Sequence, residues 1–377
     1  MKFSCTRDNL HRALSLTSHI ANKNVNLPIL DNVLIRAQEG ALRLTTTNLE
    51  IAISCTLRGK IEEKGEFTIP SKLFFDYVNL LPNEKIDLDF SEDTVSLSCA
   101  SDKTKIKGLP AADFPLVPSV NTERSFEIPI NAFRQAINRV LFAVTTNEAR
   151  PELTGIFMKF FPKEGKIILA ATDSYRLAEA MISFPKKEEE EISVIIPART
   201  MVEVGRVLSI AKDDIEIPNG ITAHLSQNQI VFLCGNTELI SRTIEGTYPD
   251  YTQIIPTGFQ TQAIIDRDDL VKAVKSASLF SKQHLFDVVL SVHPSSQEVI
   301  IKALDVNRGE NTTSCSAEGS GPENTMTLNY RYLLDGLNAC GGEKVCLQMI
   351  DASNPCLMKP VEQTGEYQYL LMPIRQQ

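Results

Sequence analysis

The sequence contains no run of about 18 or more apolar residues, so no transmembrane helix is predicted. Its N-terminus, MKFSCTRDNL, lacks the apolar core of a secretory signal peptide. None of the eight cysteines forms a CxxC pair, and only five histidines are available to join them. A structural zinc site is therefore not expected, and neither is any other cofactor. Cysteines scattered through apolar runs are typical of buried free thiols, which predicts a cytoplasmic protein.

Sequence motifs of several common enzyme classes are also missing. There is no G-x-S-x-G, no P-loop and no H-E-x-x-H. An enzymatic site around Asp173, Tyr175 and Arg176 is the main alternative. An aspartate in such a position, however, is more typical of a residue that bonds its own turn. The sequence therefore favours a protein without catalytic activity.

Positive charge is in deficit over the chain as a whole. The 377 residues include 38 Lys and Arg against 47 Asp and Glu, a formal net charge of −9. Taken alone, this balance disfavours nucleic acid as a partner. The length exceeds what one hydrophobic core accommodates and predicts two or three domains.

What the chain does contain is a threefold repeat. The segment FTIPSKLFFDYVNLLP (67–82) recurs as VIIPARTMVEVGRVLS (194–209) and as MTLNYRYLLDGLNAC (326–340). Each copy joins a short strand-like run to an amphipathic helical pattern after a break at Pro or Asn. One helical face is apolar or small in all three copies. This predicted buried face comprises Leu73, Phe74, Tyr77, Val78, Leu81, Thr200, Met201, Val204, Gly205, Leu208, Tyr332, Leu333, Gly336, Leu337 and Cys340.

A second helical element precedes each copy, in segments 3–23, 126–145 and 263–282. Each starts as a strand and turns into a helix after a capping-type residue, predicted as Thr6, Asn131 and Asp268. The predicted inward positions are Leu10, Ala13, Leu14, Phe133, Ala136, Ile137, Leu270, Ala273 and Val274.

Alternating segments typical of strands fill the rest of each repeat. They are 41–57, 86–99, 166–182, 220–234, 286–303 and 344–371. Each repeat therefore reads strand, helix, several strands, helix, several strands. This order predicts three α+β domains, with boundaries at 1–122, 123–254 and 255–377.

The positive charge is concentrated in the helical segments 7–23, 71–82, 131–140, 198–213, 267–282 and 329–340. They carry 14 Lys and Arg against 7 Asp and Glu, a net +7, so the rest of the −9 chain carries −16. Lys72, Arg199 and Arg331 occupy the same position on the polar face of the three repeats. One interpretation is that Lys and Arg, as good helix formers, simply solvate these faces. The recurrence at one position favours contact with a polyanion instead.

Five segments make the whole chain resemble the bacterial DNA polymerase III β subunit family, the sliding clamps. The segments, in the family's order, are LPILDNVLI (27–35), LPAADFP (109–115), ATDSYRLA (171–178), EGTYPDY (245–251) and YLLMPIR (369–375). The resemblance implies three repeated DNA-clamp domains, each with two helices packed on antiparallel β-sheets. It further implies that two chains form a ring as a head-to-tail dimer, with the helices lining the hole.

The function implied by this resemblance is that of a polymerase processivity factor. Such a clamp encircles double-stranded DNA without sequence specificity, because contacts with phosphate carry no sequence information. The implied pore residues are Arg12, Lys23, Asn24, Lys72, Asn147, Arg199, Arg206, Lys272 and Arg331. Asn24 and Asn147 stand where the family usually has arginine and glutamine. A cytoplasmic location, at the nucleoid during replication, follows from this function.

The resemblance also implies a hydrophobic cleft between domains 2 and 3 that binds short linear motifs. The implied partners are the polymerase III catalytic subunit, the clamp loader and repair polymerases; no membrane partner is expected. The wall residues are Leu153, Thr172, Ser174, Tyr175, Arg176, Leu177, Pro249, Ile254, Pro355, Leu370, Met372, Pro373, Ile374 and Arg375. Considered without the family, LLMPI is more typical of a buried terminal strand, and Arg176 of a solvated strand charge. Tyr175 and the Gln376–Gln377 end depart from the family pattern.

The homodimer contact implied by the family joins domain 3 of one chain to domain 1 of the other. Leu279 and Phe280 match the family's apolar pair, and Ile106 lies on the facing strand. An ordinary core pair at a helix end is the alternative interpretation. A second alternative for the whole protein is a scaffold that never encircles DNA.

Overall fold

The computed structural model describes nine segments of the chain, 1–21, 27–38, 40–91, 93–117, 124–211, 220–226, 228–282, 284–362 and 366–375. Within these segments lie six α-helices. They are α1 (Arg7–Thr17), α2 (Ser71–Leu80), α3 (Ile130–Val140), α4 (Ala198–Ala211), α5 (Arg267–Ser278) and α6 (Tyr330–Ala339).

The strands of the same segments are numbered in chain order. Those before α3 are β1 (Lys2–Thr6), β2 (Asn32–Gln38), β3 (Ala41–Thr47), β4 (Ile51–Arg58), β5 (Lys60–Glu63), β6 (Gly65–Pro70), β7 (Lys85–Ser91), β8 (Thr94–Cys99), β9 (Asp102–Lys107) and β10 (Arg124–Pro129). Those between α3 and α5 are β11 (Gly155–Phe161), β12 (Lys166–Thr172), β13 (Arg176–Ser183), β14 (Ile192–Pro197), β15 (Gly220–Leu225), β16 (Gln229–Cys234), β17 (Thr237–Arg242) and β18 (Thr261–Asp266). The last are β19 (Asp287–His293), β20 (Glu298–Asp305), β21 (Gly309–Ser320), β22 (Asn324–Asn329), β23 (Lys344–Met349), β24 (Cys356–Pro360) and β25 (Tyr367–Leu371).

The predicted repeat is visible in the order of these elements. A strand runs directly into a helix six times, as β1–α1, β6–α2, β10–α3, β14–α4, β18–α5 and β22–α6. Antiparallel strands follow each helix and coincide with the predicted strand-rich segments; 166–182, for example, becomes β12 and β13. The α+β class is therefore confirmed.

The strands form three sheets, and the chain divides into two compact units. The first unit, Met1–Asn131 with Glu203–Thr243, holds a five-stranded sheet (β5-β1-β7-β8-β9) and an eight-stranded sheet (β10-β15-β16-β17-β4-β3-β2-β6). The second unit, Ala132–Val202 with Ile244–Gln377, holds a twelve-stranded sheet (β14-β11-β12-β13-β25-β24-β23-β18-β21-β20-β19-β22). No helix of the described segments is both long and apolar enough to cross a membrane.

The apolar helix faces pack as predicted, apart from one exposed residue and three others, Tyr77, Gly205 and Tyr332, that are only half-buried. All nine inward positions of α1, α3 and α5 are buried. In α2, however, Leu73 is 55% exposed, so its assignment to the buried face was wrong. This helix buries a narrow stripe formed by Ser71, Phe74 and Val78, and Leu73 lies beside that stripe.

The helix caps were predicted with mixed success. The Thr6 hydroxyl accepts a hydrogen bond from the backbone N–H of Asn9, as expected for an N-cap. Asp268 was the wrong cap, because α5 begins earlier and the Asp266 carboxylate accepts from the N–H of Asp269 at 3.0 Å. Asn131 is also not the first residue of its helix, since α3 begins at Ile130.

The eight cysteines are free thiols, as predicted. Seven are buried, and Cys315 is partly exposed. Burial, together with the negative charge of nearby Asp87, raises the pKa of the Cys5 thiol to about 12. Such thiols behave as small apolar core residues.

Candidate functional site

Three cations lie exposed at the start of equivalent helices. Lys72, Arg199 and Arg331 are each the second residue of their helix, in α2, α4 and α6 respectively. The guanidinium carbon of Arg331 lies 3.6 Å from the centroid of the Phe286 ring. This stacking orients the arginine while leaving it exposed.

The other predicted pore residues differ in their surroundings. Lys272 is exposed, and its Nζ lies 3.1 Å from Asp269 Oδ1. Arg12 is half-buried. Asn147 is exposed, and its Oδ1 accepts from the backbone N–H of Ala149 at 3.0 Å within a turn. Lys23 and Asn24 lie outside the described residues.

Arg206 is bound within the protein rather than directed at solvent. Its Nε donates to Glu203 Oε2 at 2.8 Å, and its two terminal nitrogens donate to the carbonyls of Ser15 and Leu16 at 2.6 and 2.5 Å. These carbonyls belong to the last turn of α1, and carbonyls at that end of a helix have no N–H donor within the helix. The side chain therefore caps the C-terminus of α1, a role that the sequence did not reveal.

The predicted cleft residues come together in the second unit. Strand β13 pairs with β25 so that Leu177 lies opposite Leu370. Leu153, Leu177 and Leu370 are buried in one apolar cluster with Tyr248 and Tyr251. These three leucines form the floor of what is called here the candidate cleft.

The segment from Thr172 to Leu177 forms a tightly bonded turn at one edge of the candidate cleft. The Thr172 hydroxyl donates to the Arg176 carbonyl at 2.6 Å and accepts from the N–H of Ser174 at 3.1 Å. Asp173 Oδ1 accepts from the N–H groups of Tyr175 and Arg176 at 3.0 and 3.1 Å. The aspartate therefore bonds its own turn, as predicted, and the turn holds the Tyr175 ring out toward solvent.

The Arg176 guanidinium is bonded within the protein and is not a solvated strand charge. Its Nε donates to Asp173 Oδ2 at 2.9 Å, one terminal nitrogen to Asp335 Oδ2 at 2.5 Å, and the other to the Phe142 carbonyl at 2.7 Å. The guanidinium also lies 4.3 Å from the centroid of the Tyr332 ring. The residue is thus fixed below the turn, and its interpretation as a solvated strand charge is wrong.

The remaining predicted wall residues of the candidate cleft differ in their exposure to solvent. Leu370 is buried in β25, whereas Met372 has left the strand and is exposed, although its N–H still donates to the Tyr175 carbonyl at 2.9 Å. The buried-strand interpretation of LLMPI thus holds only for its two leucines. Pro249, Pro355, Pro373 and Ile374 are half-buried; Ser174, Ile254 and Arg375 are exposed; Thr172 is buried.

Two tyrosines of the candidate cleft were missed. Tyr248 stacks on Phe157 with the ring centroids 4.8 Å apart, and Tyr251 meets the same ring edge-on with the centroids 6.3 Å apart. The Tyr251 hydroxyl donates to Glu179 Oε2 at 2.6 Å, and burial together with this carboxylate raises the pKa of Tyr251. Their position in the segment EGTYPDY was the available signal.

The predicted dimer residues lie beside open strand edges. Leu279 is 67% exposed, directly after α5, and Phe280 is half-buried. Residues 309–316 of β21 pair with β20 on one side, whereas β18 pairs only with residues 317–320. Ile106 lies on β9, the edge of the five-stranded sheet, but its side chain is only 5% exposed. Its side chain is therefore not available for an apolar contact, whereas the backbone of β9 lies at a sheet edge.

Comparisons with known proteins cover the chain from end to end. Residues 1–118, 127–250 and 252–375 match the N-terminal, central and C-terminal domains of the DNA polymerase III beta subunit. A beta sliding clamp of Synechococcus elongatus is 30% identical over 381 residues, covering 100% of this chain and 99% of the relative. One from Staphylococcus aureus is 28% identical over 386 residues with the same coverage.

Solved structures of the same kind of protein superpose on this chain. The DNA polymerase III subunit beta of Pseudomonas aeruginosa superposes with a TM-score of 0.91 at 26% identity, covering 100% of both chains. The sliding clamp of Bartonella birtlesii bound to griselimycin superposes with a TM-score of 0.91 at 27% identity and equal coverage. With three clamp domains matched in order along nearly its whole length, the chain belongs to the DNA polymerase III beta subunit family, the bacterial beta sliding clamps.

Proposed function

We propose that this chain is the processivity clamp of a replicative polymerase, closing as a head-to-tail homodimer around double-stranded DNA. The proposed domain boundaries are 1–122, 123–254 and 255–377. DNA would pass through a hole lined by helices, held by topology and by loose phosphate contacts. Such contacts carry no sequence information and permit sliding.

The observation that carries this proposal is the placement of Lys72, Arg199 and Arg331 at helix N-termini. A cation in the first turn is opposed by the helix macrodipole, which favours an anion there. The arrangement therefore weakens each helix slightly, and it recurs in all three repeats. A solvating role gives no reason for this repetition, whereas attraction of DNA phosphates does.

The DNA-contact set is best divided by what each side chain already binds. Lys72, Arg199 and Arg331 are exposed and form its centre, joined by Lys272 and Asn147 at the surface. Arg206 is proposed as a positioning residue, since its guanidinium holds the end of α1. Arg12, Lys23 and Asn24 stay in the proposed set on the strength of the family resemblance.

The candidate cleft is proposed to bind short apolar motifs of the replicative polymerase, the clamp loader and repair polymerases. Its leucine floor and exposed Met372 and Ile254 accept apolar anchors of varied shape. The exposed Arg375 can pair with a carboxylate of the motif. Arg176 supports the turn from below.

The proposed dimer contact places the open edge of β21, with Leu279 and Phe280, against β9 of a second copy. Lys103, Lys105 and Lys107 of β9 are exposed, and Glu310 of β21 is exposed as well. Pairing the two edges would satisfy their backbone groups and supply opposite charges across the contact. No catalytic role is proposed, and the location would be cytoplasmic, at the nucleoid during replication.

Topological retention tests the proposal directly. The protein is loaded onto nicked circular DNA with the cell's own clamp loader and ATP, separated from free protein, and then exposed to a restriction enzyme that linearises the circle. A clamp stays on the circle and is lost from the linear product. Equal retention on both forms would instead identify a scaffold that binds DNA without encircling it.

The cations are tested with two triple variants of equal charge change. Lys72→Ala, Arg199→Ala and Arg331→Ala together should lower the affinity for a short duplex and flatten its salt dependence, since each lost phosphate contact removes about 0.9 from the slope of log K against log salt concentration. The control combines Lys60→Ala, Lys163→Ala and Lys186→Ala, which removes three exposed cations outside the helices. Equal effects of the two triple variants would show that net charge alone accounts for the change in DNA affinity, and the assignment of the helix cations would be wrong.

A further inference from the structure

Residues 47–52 repeat the backbone of the turn beside the candidate cleft. The Thr47 hydroxyl donates to the Ile51 carbonyl at 2.9 Å and accepts from the N–H of Leu49 at 3.0 Å. These are the bonds that Thr172 makes with Arg176 and Ser174. The same local structure therefore occurs in both compact units.

The repetition extends to the other bonds of the turn and to its backbone angles. Asn48 Oδ1 accepts from the N–H groups of Glu50 and Ile51 at 3.1 and 2.8 Å, in the manner of Asp173. Leu49 has φ +76° and Ser174 has φ +78°. A leucine in the left-handed region is strained, and strain of this kind is concentrated at functional sites. Here it holds a leucine side chain that is 51% exposed.

The neighbouring strand is repeated as well. Ala52 lies opposite Ile240 where β4 pairs with β17, as Leu177 lies opposite Leu370. Past this point the N–H of Arg242 donates to the Glu50 carbonyl at 3.2 Å, just as that of Met372 donates to the Tyr175 carbonyl. Arg242 thus corresponds to Met372, and Glu50 to Tyr175.

A cavity of about 430 Å³ opens over this second copy of the turn. Ala52, Ile240 and half-buried Val117 form an apolar cluster at its floor, and Leu116, 97% exposed, stands at its edge. Its volume is within the range of about 300 to 1,000 Å³ common for ligand sites. This cavity is called the first groove below.

The first groove differs from the candidate cleft in charge. Glu50 and Arg242 are both exposed, and neither takes part in an ion pair with another described residue. In the candidate cleft the same two positions carry the uncharged Tyr175 and Met372. An occupant complementary to the first groove therefore needs an apolar centre with charges of both signs beside it.

We propose that the first groove binds an extended peptide segment of a partner protein, with an aliphatic anchor flanked by one basic and one acidic residue. The anchor would lie on Ala52 and Ile240, the acidic residue would pair with Arg242, and the basic residue with Glu50. The proposal rests on the proposed function of the candidate cleft, whose framework it shares. It gives the chain two peptide sites of different specificity.

Two fluorescein-labelled peptides test the proposal by polarisation on the full-length chain. The charged probe is Gly-Lys-Leu-Leu-Glu-Gly-amide, and the uncharged probe is Gly-Ser-Leu-Leu-Phe-Gly-amide. Arg242→Glu is expected to weaken the charged probe by about tenfold and leave the uncharged probe unchanged. Met372→Glu, at the matching position of the candidate cleft, is expected to do the reverse.

A third variant separates binding from folding. Leu49→Gly removes an exposed side chain of the first groove and relieves the positive φ, so the protein should unfold at the same or a higher temperature while the charged probe binds more weakly. A charged probe that fails to bind, or that responds only to Met372→Glu, overturns the first groove as a peptide site. In that case normal binding of the uncharged probe would leave the candidate cleft intact. Failure of both probes would count against both sites.

Discussion

Arg206 Nε lies 2.8 Å from Oε2 of Glu203, a carboxylate that is buried beneath the end of α1. The other Glu203 oxygen lies 2.6 Å from Nδ1 of His19. Since Arg206 also binds two carbonyls of α1, one side chain joins α4 to the C-terminus of α1. A basic residue assigned to DNA by position thus has a structural function within the first unit.

Replacing Arg206 with methionine should therefore destabilise the protein. The substitution leaves Glu203 partly unpaired in a buried site and two helix carbonyls without donors, at an expected cost of about 2 to 3 kcal/mol in the free energy of unfolding. Urea denaturation followed by circular dichroism measures this cost. Arg199→Met, on the exposed face of the same helix, should change stability by less than about 0.5 kcal/mol. Equal stabilities of the two variants would show that the Arg206 bonds contribute little.

Local sequence pattern predicted the helices and their cations but not the partners of the half-buried Arg176 and Arg206. Leu10, Ala13 and Leu14 could be placed inward because helical spacing alone decides which side chains share a face. The two carbonyl acceptors of Arg206 are 190 and 191 residues away in the chain, and the acceptors of Arg176 include Asp335, 159 residues away. No local pattern encodes such contacts.

The errors at Leu73 and Asp268 have different causes. The buried stripe of α2 is too narrow to include Leu73, whereas Asp268 lies within about two residues of a helix start, the kind of boundary that is placed least exactly. The leucine floor of the candidate cleft was located through family resemblance, since Leu153, Leu177 and Leu370 are distant in sequence. Tyr248 and Tyr251 were missed because their segment EGTYPDY, although it marks the family, does not indicate the Phe157 ring that both contact.

Leu279→Ala should weaken the homodimer with little change in the folded protomer. The side chain is largely exposed, so its removal costs little within one chain, while an apolar anchor at the centre of an interface typically contributes about tenfold in affinity. Sedimentation equilibrium over a range of concentrations measures the dissociation constant. Phe280→Ala is less suitable, because this ring is half-buried in its own domain.

Phe259→Ala serves as the control for that measurement. Phe259 is another exposed apolar residue, outside the proposed contact. It should leave the dissociation constant unchanged. If both substitutions act equally, exposed apolar area in general drives association and the Leu279 interface is rejected.

Arg176→Lys should reduce stability and peptide binding together. Lysine keeps the charge but cannot donate simultaneously to Asp173, Asp335 and the Phe142 carbonyl in the geometry of the guanidinium fork. We expect a loss of about 2 kcal/mol in the free energy of unfolding. We also expect the turn that carries Tyr175 to be held less firmly in place.

Arg375→Lys is the matched comparison, because Arg375 is exposed and at the rim. It should leave stability unchanged and reduce only the affinity for peptides with a carboxylate, measured by fluorescence polarisation. A stable Arg176→Lys protein that has lost peptide affinity would instead show that Arg176 contacts the peptide directly.

Tyr251→Phe should alter the stability of the protein at alkaline pH. Burial, with the Glu179 carboxylate nearby, raises the pKa of Tyr251 in the folded protein above the ordinary value of 10.0. A raised pKa means that the folded state holds the proton more tightly than the unfolded state. Its contribution to stability is therefore complete below pH 10 and is lost as the pH rises through the folded pKa.

In the window just above pH 10, one such tyrosine steepens the fall of unfolding free energy by about 1.4 kcal/mol per pH unit. Phenylalanine has no proton to lose, so the variant should show a shallower alkaline fall, even though the loss of the hydrogen bond to Glu179 lowers its stability at pH 8 by about 1 kcal/mol. Urea denaturation at pH 8, 10 and 11 gives both quantities. Tyr175→Phe, with an exposed ring, should reproduce the parent curve. A Tyr251→Phe curve that runs parallel to the parent between pH 10 and 11 would show that this hydroxyl is not held protonated by its burial against Glu179.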